Sequence, residues 1–340
     1  MKKTILVTGG AGYIGTNVVN CLLKKGYYVV VVDNFSNSFH SHIEDLKQLY
    51  PKTLKICDVD ICDKVKLNDV FVNDKINGVI HLAGKKYIPE SFEKEEEYFL
   101  NNITGTQVLL DLMTAHNVKK VVFSSSITVY GNKQDYSIKE TKPYAPISPY
   151  AQQKVDGEKM VLNWAKQNNS SAVVLRLSNP IGADANLMLG EDSTSGRKGL
   201  LPYLIDCARD GQKLVFNGND HPTRDGTTIR DYVHVMDVAK AFVAAFEADL
   251  NKSFDVFNIG TSGEGYTVLE VLKQVENIVG FNMDYSFGPK RAGDASVIIT
   301  NNEKAKEILK YKVTKSLQDM VESQYVFQTN IKKHNQEVSI

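Results

Sequence analysis

Short runs of β-branched and apolar residues alternate along the chain with longer stretches in which apolar positions recur every three or four residues. Thr4–Thr8, Tyr28–Val32, Leu54–Cys57, Val79–Leu82, Val121–Ser124 and Ala172–Leu177 are nearly continuous in apolar residues and read as buried strands. Segments 13–25, 92–116 and 150–168 carry helical spacing between them. Strands that are apolar on both faces and separated by helices predict an α/β protein with a doubly wound parallel sheet. Beyond Asn179 the alternation weakens. Gly182–Gly199 and Asn217–Ile229 read as long loops around a helix at about 200–210, and long loops inside a compact domain are usually functional. From Lys332 onward the chain reads as a frayed tail.

Composition narrows the classes. The 340 residues suit one large domain or two interleaved ones, and 42% hydrophobic with 24% charged residues is ordinary for a soluble protein. Forty basic residues balance forty acidic ones, so no net field points to nucleic acid or an anionic membrane as a partner. The apolar run after Lys2-Lys3 stops at Thr8, too short for a secretory signal, and no stretch approaches the ~18 apolar residues of a membrane span. Cys21, Cys57, Cys62 and Cys207 form no Cys-x-x-Cys pair, so neither a metal site nor a disulfide framework is expected. The expected location is the cytoplasm.

The loop Gly9-Gly10-Ala11-Gly12-Tyr13-Ile14-Gly15 follows the first strand directly and opens a helix. In that context Gly9, Gly12 and Gly15 allow a tight turn and let a pyrophosphate approach backbone N–H groups at the positive helix end, the signature of a Rossmann-type dinucleotide site. Asp33 ends the next strand, 18 residues after Gly15. A carboxylate there accepts from ribose hydroxyls and repels a 2′-phosphate, which favours NAD over NADP. Asp58, after the third strand, is placed to meet the adenine ring or to sit in an exposed turn. The resulting division is an NAD-binding domain over 1–178 and a smaller α/β substrate-binding domain over 179–340, with parts near 230–262 returning to the first.

Tyr150 and Lys154 lie four residues apart on one helix face. A free tyrosine has a pKa near 10; a neighbouring ammonium favours the phenolate, and about three units of depression, roughly 4 kcal/mol, would make it a base at neutral pH. Lys154 and the nicotinamide cation are expected to share that work, with Lys154 also bonding the nicotinamide ribose. Ser126, in the run Ser124-Ser125-Ser126 at a strand end, is placed to bridge the substrate oxygen and Tyr150. Tyr-x-x-x-Lys alone is common by chance in helices; with the glycine loop and the serine run it points to hydride transfer between a sugar alcohol and a nicotinamide.

These segments, with Leu82-Ala83-Gly84, Asn101-Asn102, Val129-Tyr130-Gly131, Ser148-Pro149-Tyr150-Ala151, Asn179-Pro180-Ile181-Gly182-Ala183, Gly190-Glu191-Asp192, Arg230-Asp231-Tyr232-Val233-His234-Val235 and Arg291-Ala292-Gly293-Asp294, run nearly end to end. In them the chain resembles the extended short-chain dehydrogenase/reductase family and, within it, the nucleotide-sugar 4-epimerases. The resemblance implies an NAD-dependent 4-epimerase that interconverts UDP-glucose and UDP-galactose through a 4-keto sugar. It places Tyr13, Ile14, Asn34, Val59, Leu82, Ala83, Gly84, Lys86, Asn102 and Ser124 at NAD. Asn179, Leu200, Arg230, Arg291, Asp294 and Ile298 fall at the nucleotide-sugar, and a homodimer is implied through the helices near 92–116 and 150–168.

Relatives that eliminate water or carbon dioxide carry an Asp-Glu pair or a Glu just before Val-Tyr-Gly. Here Ile127 and Thr128 stand there, so the acid and base for elimination are missing. Leu177-Ser178, Gly199 and Asn217 depart from the pattern of the 4-epimerases around nicotinamide and base, leaving the nucleotide and the hexose open. Ile298, intermediate in bulk between residues that exclude and admit N-acetyl sugars, implies that N-acetyl forms are accepted. The alternatives are a 4-keto nucleotide-sugar reductase of the same fold and a catalytically silent NAD-binding regulatory protein. The first predicts dependence on added reduced cofactor, and the second predicts loss of a Tyr/Lys pair that this chain retains.

Overall fold

Alternate residues of each buried strand point to opposite faces of the main sheet, and both faces are apolar because both are covered. The computed structural model describes residues 3–131, 135–184, 186, 189–192, 199–250, 252–290 and 295–337, with side chains to 330. Its strands, in chain order, are β1 Thr4–Thr8, β2 Tyr28–Asp33, β3 Leu54–Asp58, β4 Ile76–His81, β5 Lys120–Ser126, β6 Asp135–Ile138, β7 Ser171–Leu177, β8 Asn179–Ile181, β9 Leu214–Asn217, β10 Ile229–Arg230, β11 Tyr232–His234, β12 Phe254–Ile259, β13 Tyr266–Thr267, β14 Tyr285–Gly288 and β15 Val297–Thr300. Seven of them form a parallel sheet in the order β12-β7-β5-β4-β1-β2-β3. Ile5, Val7, Val29, Val31, Ile80, Val122 and Val173 pack on one side with the helices Tyr13–Lys24 and Val235–Glu247. Leu6, Val30, Val32, Val79, Val121, Phe123 and Val174 pack on the other with Lys64–Asn73, Gly105–Ala115 and Pro149–Gln167.

The strands reach past their apolar runs at the carboxyl end, taking in Asp33, Asp58 and Ser126, because the parallel ladder goes on pairing them: Asp33 with Asp58, and Ser126 with Leu177. The fourth strand is offset to Ile76–His81, so Leu82 opens the following loop. The single helix expected over 92–116 is interrupted. Ile88–Glu93 starts with Pro89 in its first turn, Glu95–Phe99 follows, and a π-helical turn Leu100–Thr104 precedes Gly105–Ala115. The π turn points Asn102 inward, and such single turns are frequent at functional sites. At the other end the helix Leu317–Glu337 carries the chain past Lys332, where the sequence suggested a tail.

β12 pairs with β7 at the edge of the main sheet, so the chain returns there after leaving it at Leu177. The smaller sheet β13-β10-β15-β6 and the pairs β11-β8 and β14-β9 sit beyond the carboxyl ends of the strands. A third apolar cluster joins the helices Leu200–Asp210, Val268–Val279 and Leu317–Glu337 through Leu201, Leu204, Val271, Val275 and Val321. Asp231, fully buried, ties the parts together: it accepts from Ser178 Oγ at 3.0 Å, Thr300 Oγ1 at 2.7 Å and Thr261 N at 2.8 Å. A buried carboxylate persists only when its lone pairs are filled in this way. Ser178, a departure from the 4-epimerase pattern, thereby belongs to a structural network. Among the described residues no helix is long and apolar enough to cross a membrane.

Candidate active site

The sheet reverses its order between β2 and β4 on either side of β1, and open α/β sheets place ligands at that switch point. The glycine loop lies there. Gly9 has φ +67°, and its N–H donates to Val32 O at 2.8 Å, which turns the chain tightly off β1. An added Cβ at Gly15 would stand 2.1 Å from Gly9 O, so the helix can approach the turn only without a side chain. Gly12 differs: a Cβ there meets nothing nearer than Gly9 O at 3.4 Å. The first turn of helix Tyr13–Lys24 carries no side-chain cap and no acidic residue. Its leading N–H donors are therefore offered to an anion, and the loop fits a pyrophosphate.

Around this loop Asp33 accepts from Ala11 N, Phe35 N and Ser38 Oγ, each at 3.0 Å. Burial pushes its carboxyl above the usual range despite those donors. Three bonds leave acceptor capacity for a further donor such as a ribose hydroxyl. Asn34 donates to Asp60 at 2.7 Å, Val59 N donates to Asp33 O at 3.0 Å, and Asp58 is exposed beside them. Leu82 N donates to Thr8 O at 3.0 Å and Ala83 N to Thr8 Oγ1 at 3.4 Å. Asn102 accepts from Lys85 N at 2.8 Å and donates to Gln153 Oε1 at 2.9 Å, locking the loop after β4 to the helix Pro149–Gln167. A Cβ on Gly84 would lie 3.2 Å from Asn102 Oδ1 and 3.7 Å from Lys154 Nζ. Tyr13 donates to Gly182 O at 2.6 Å, and Ile14 packs on the core.

Ser148 caps the helix Pro149–Gln167 by accepting from Ala151 N at 3.1 Å, with Pro149 in its first turn. That start places Tyr150 and Lys154 against the end of β5. Ser126 lies beside the Tyr150 hydroxyl, where it holds the phenol's pKa down, and its own hydroxyl accepts from Thr128 N at 3.3 Å. Lys154 turns its ammonium to Ser124 O at 2.8 Å, and burial pushes the Tyr150 phenol up to about 12, with the Ser126 hydroxyl opposing. Burial brings Lys154 down to about 8, against the pull of Glu158. His81, absent from the sequence reading, is buried between Thr8 Oγ1 at 2.6 Å and Thr106 Oγ1 at 2.9 Å. Burial, helped by Lys154, holds its pKa down at about 3, so it is a neutral support under the site.

On the opposite side Asn179 N donates to Asp231 O at 3.0 Å and Arg230 Nη1 to Ala295 O at 2.7 Å, both residues half-buried. Leu200 opens its helix, half-buried, and Ile298 packs with Ile127, Val129 and Tyr130 just past Ser126. Arg291 and Asp294 lie outside the described residues. Lys86 pairs with Glu191 Oε1 at 3.2 Å and hangs 5.9 Å from the Tyr13 ring centre. The same carboxylate occupies the space beside Gly199, where a Cβ would stand 2.6 Å from Glu191 Oε2. Glu191 therefore accounts for the missing side chain at 199. Among the described residues no group of three or more His, Cys, Asp or Glu is arranged to hold a metal.

A glycine-rich dinucleotide cradle, a Ser-Tyr-Lys set at the strand ends and a second lobe facing them define a nucleotide-dependent oxidoreduction site on a Rossmann-type sheet. The chain belongs to the NAD dependent epimerase/dehydratase family, whose model matches residues 5–260. It is 39% identical over 329 residues to a UDP-glucose 4-epimerase of Bacillus subtilis, covering 96% of this chain and 97% of that one. It superposes with a TM-score of 0.92 on the UDP-glucose 4-epimerase of Bifidobacterium longum in complex with NAD+ and UDP, at 39% identity over 96% and 98% of the chains. The UDP-glucose 4-epimerase of Stenotrophomonas maltophila with bound NAD and formylated UDP-arabinopyranose matches equally well, 0.92, at 33% identity over 98% and 99%.

Proposed function

We propose that the protein is an isomerase, an NAD-dependent nucleotide-sugar 4-epimerase that interconverts UDP-glucose and UDP-galactose and accepts N-acetyl forms. The observation that carries this is the convergence of Tyr150, Ser126 and Lys154 at the end of β5, with no acid–base pair at Ile127 and Thr128 to divert a 4-keto sugar into elimination. The glycine loop and Asp33 would hold NAD, which would supply a hydride acceptor for C4 and a positive charge. Ser126 and Tyr150 hold the sugar C4 oxygen, and Tyr150 takes its proton as the hydride leaves and gives it back when the hydride returns. The phenol at about 12 has to be lowered for that role, and Lys154, charged at neutral pH, adds to the positive potential that favours the phenolate.

Affinity in this reading resides in the nucleotide, through Asn179, Arg230, Arg291, Asp294 and Leu200, and the hexose is held loosely enough to present either face. Ile298, apolar and less bulky than tyrosine, supports the N-acetyl reading. The likeness to UDP-glucose 4-epimerases supports a role in galactose metabolism, with the cytoplasm as its proposed place. Exposed Phe92, Phe99 and Leu100 and, apart from them, a groove of about 410 Å³ between the helices Gly105–Ala115 and Pro149–Gln167 support a homodimer through those helices. The test is to mix purified protein with UDP-galactose, without added NAD, and follow the anomeric signals by NMR. Appearance of UDP-glucose is expected; no conversion with NAD still found in the denatured protein would point to another nucleotide-sugar, and no conversion with no NAD bound even after it is supplied would favour a silent protein.

A further inference from the structure

Glu158 completes a third turn on the face that carries Tyr150 and Lys154, and it is fully buried. Arg176 of β7 grips it with Nε at 2.9 Å to Oε1 and Nη2 at 2.7 Å to Oε2. Ser125 Oγ donates to Oε1, and Tyr144 Oη to Oε2 at 2.8 Å. Ser125 and Arg176 are direct neighbours across the β5–β7 ladder, so one carboxylate staples the helix to both strands at a single level. The residues on either side of Ser125 flank the reacting groups: the Ser124 carbonyl accepts from Lys154 Nζ at 2.8 Å, and the Ser126 hydroxyl lies beside Tyr150.

We propose that Glu158 is a positioning residue of the hydride-transfer site, fixing Ser124 and Ser126 against Lys154 and Tyr150 through Ser125. This rests on the 4-epimerase reading above. The charged and titratable groups around Lys154 are Glu158 and Tyr150 on its own helix and His81 on β4. The Ser124 carbonyl lies on β5, and Asn102 stands beyond Gly84. Around Glu158 they are Arg176, Tyr144 and, bonded to Arg176 at 2.8 Å, Tyr130. Lys154 titrates near 8 with Glu158 in place, so removing that charge brings its deprotonation down towards neutral pH.

The experiment measures conversion of UDP-galactose by wild type, Glu158→Gln and Ser125→Ala holoenzymes between pH 6 and 10, with NAD content and thermal unfolding on the same samples. Glu158→Gln is expected to lose roughly 100-fold in kcat per NAD-loaded molecule, the effect of a misplaced reacting group, with KM little changed. Its alkaline limb is expected to move down by about one pH unit. Ser125→Ala, which keeps the ion pair, is expected to lose about tenfold in kcat with the limb unmoved. Activity loss in Glu158→Gln matching only its loss of folded holoenzyme, or an unmoved limb, overturns the proposal. If Glu158→Gln does not fold, an undiminished kcat in Ser125→Ala overturns it. A wild type inert toward UDP-galactose defeats the 4-epimerase reading itself, whereas an active wild type with unaltered variants defeats this inference alone.

Discussion

Exchanging Gly12 or Gly15 for alanine adds the same methyl to the same loop, yet the surroundings of the two positions demand opposite outcomes. At Gly15 the new Cβ would lie 2.1 Å from Gly9 O, 2.7 Å from Gly10 Cα and 2.9 Å from Gly10 C, all backbone atoms that move only by opening the turn. Overpacking of that kind costs about 1–3 kcal/mol, a drop of a few degrees in Tm before any cofactor is added. At Gly12 the backbone is extended, φ −74° and ψ 174°, which alanine adopts freely, and the nearest atom is at 3.4 Å. The unloaded Gly12→Ala protein should therefore melt within about 0.5 kcal/mol of wild type. If the pyrophosphate lies against that open side, the methyl takes its place, and about 1–3 kcal/mol lost from binding weakens NAD roughly 5- to 150-fold. Thermal unfolding of stripped protein and calorimetric titration with NAD read the two effects separately. A Gly12→Ala variant that binds NAD as tightly as wild type would refute the placement of the cofactor, and an unshifted melt for Gly15→Ala would refute the close contact.

Tyr150→Phe should retain NAD and its melting temperature while turnover of UDP-galactose falls by about 10²–10⁴, the usual contribution of a positioned acid–base; turnover near wild type by NMR excludes Tyr150 from proton transfer. Ile298→Tyr should abolish turnover of UDP-GalNAc and leave UDP-galactose within a few-fold, and equal turnover of UDP-GalNAc by variant and wild type removes the gate. His81, held at about 3 in the fold against about 6.5 unfolded, leaves the unfolded chain binding more protons between those values. Stability should thus fall as pH drops through that window, by up to about 1.4 kcal/mol per unit from this residue. Denaturant melts of His81→Gln from pH 7 to 4 should show a shallower fall than wild type; parallel curves contradict the buried neutral imidazole.

Which parts of this protein were legible in its sequence follows from the range of the forces concerned. The strands β1, β2, β3, β5 and β7 are local statements, runs of Val, Ile and Leu that must be buried on both faces, and the glycine loop and Tyr150/Lys154 are spacings within a turn or two. The end of β5 was not legible, because Ser126 is a strand residue only by virtue of the ladder partner Leu177. Nor was the break after Phe99, where a π turn aims Asn102 at residues some distance along the chain, Lys85 and Gln153.

Protonation was decided by tertiary structure alone. Sequence places Lys154 beside Tyr150 and suggests a depressed phenol; the fold turns the ammonium to Ser124 O and buries both groups, so desolvation sets Tyr150 high and Lys154 low. The Glu158–Arg176 pair could have been suspected from the spacing of Tyr150, Lys154 and Glu158 on one face, but its partner is supplied by β7. Sequence by itself determined the class of sheet and pointed to the proposed cofactor cradle and reacting side chains, since each depends on near neighbours. Where Glu191 fills the space beside Gly199, and how Ser178 joins Asp231 and Thr300, depended on contacts between distant segments, which exist only once the chain has folded.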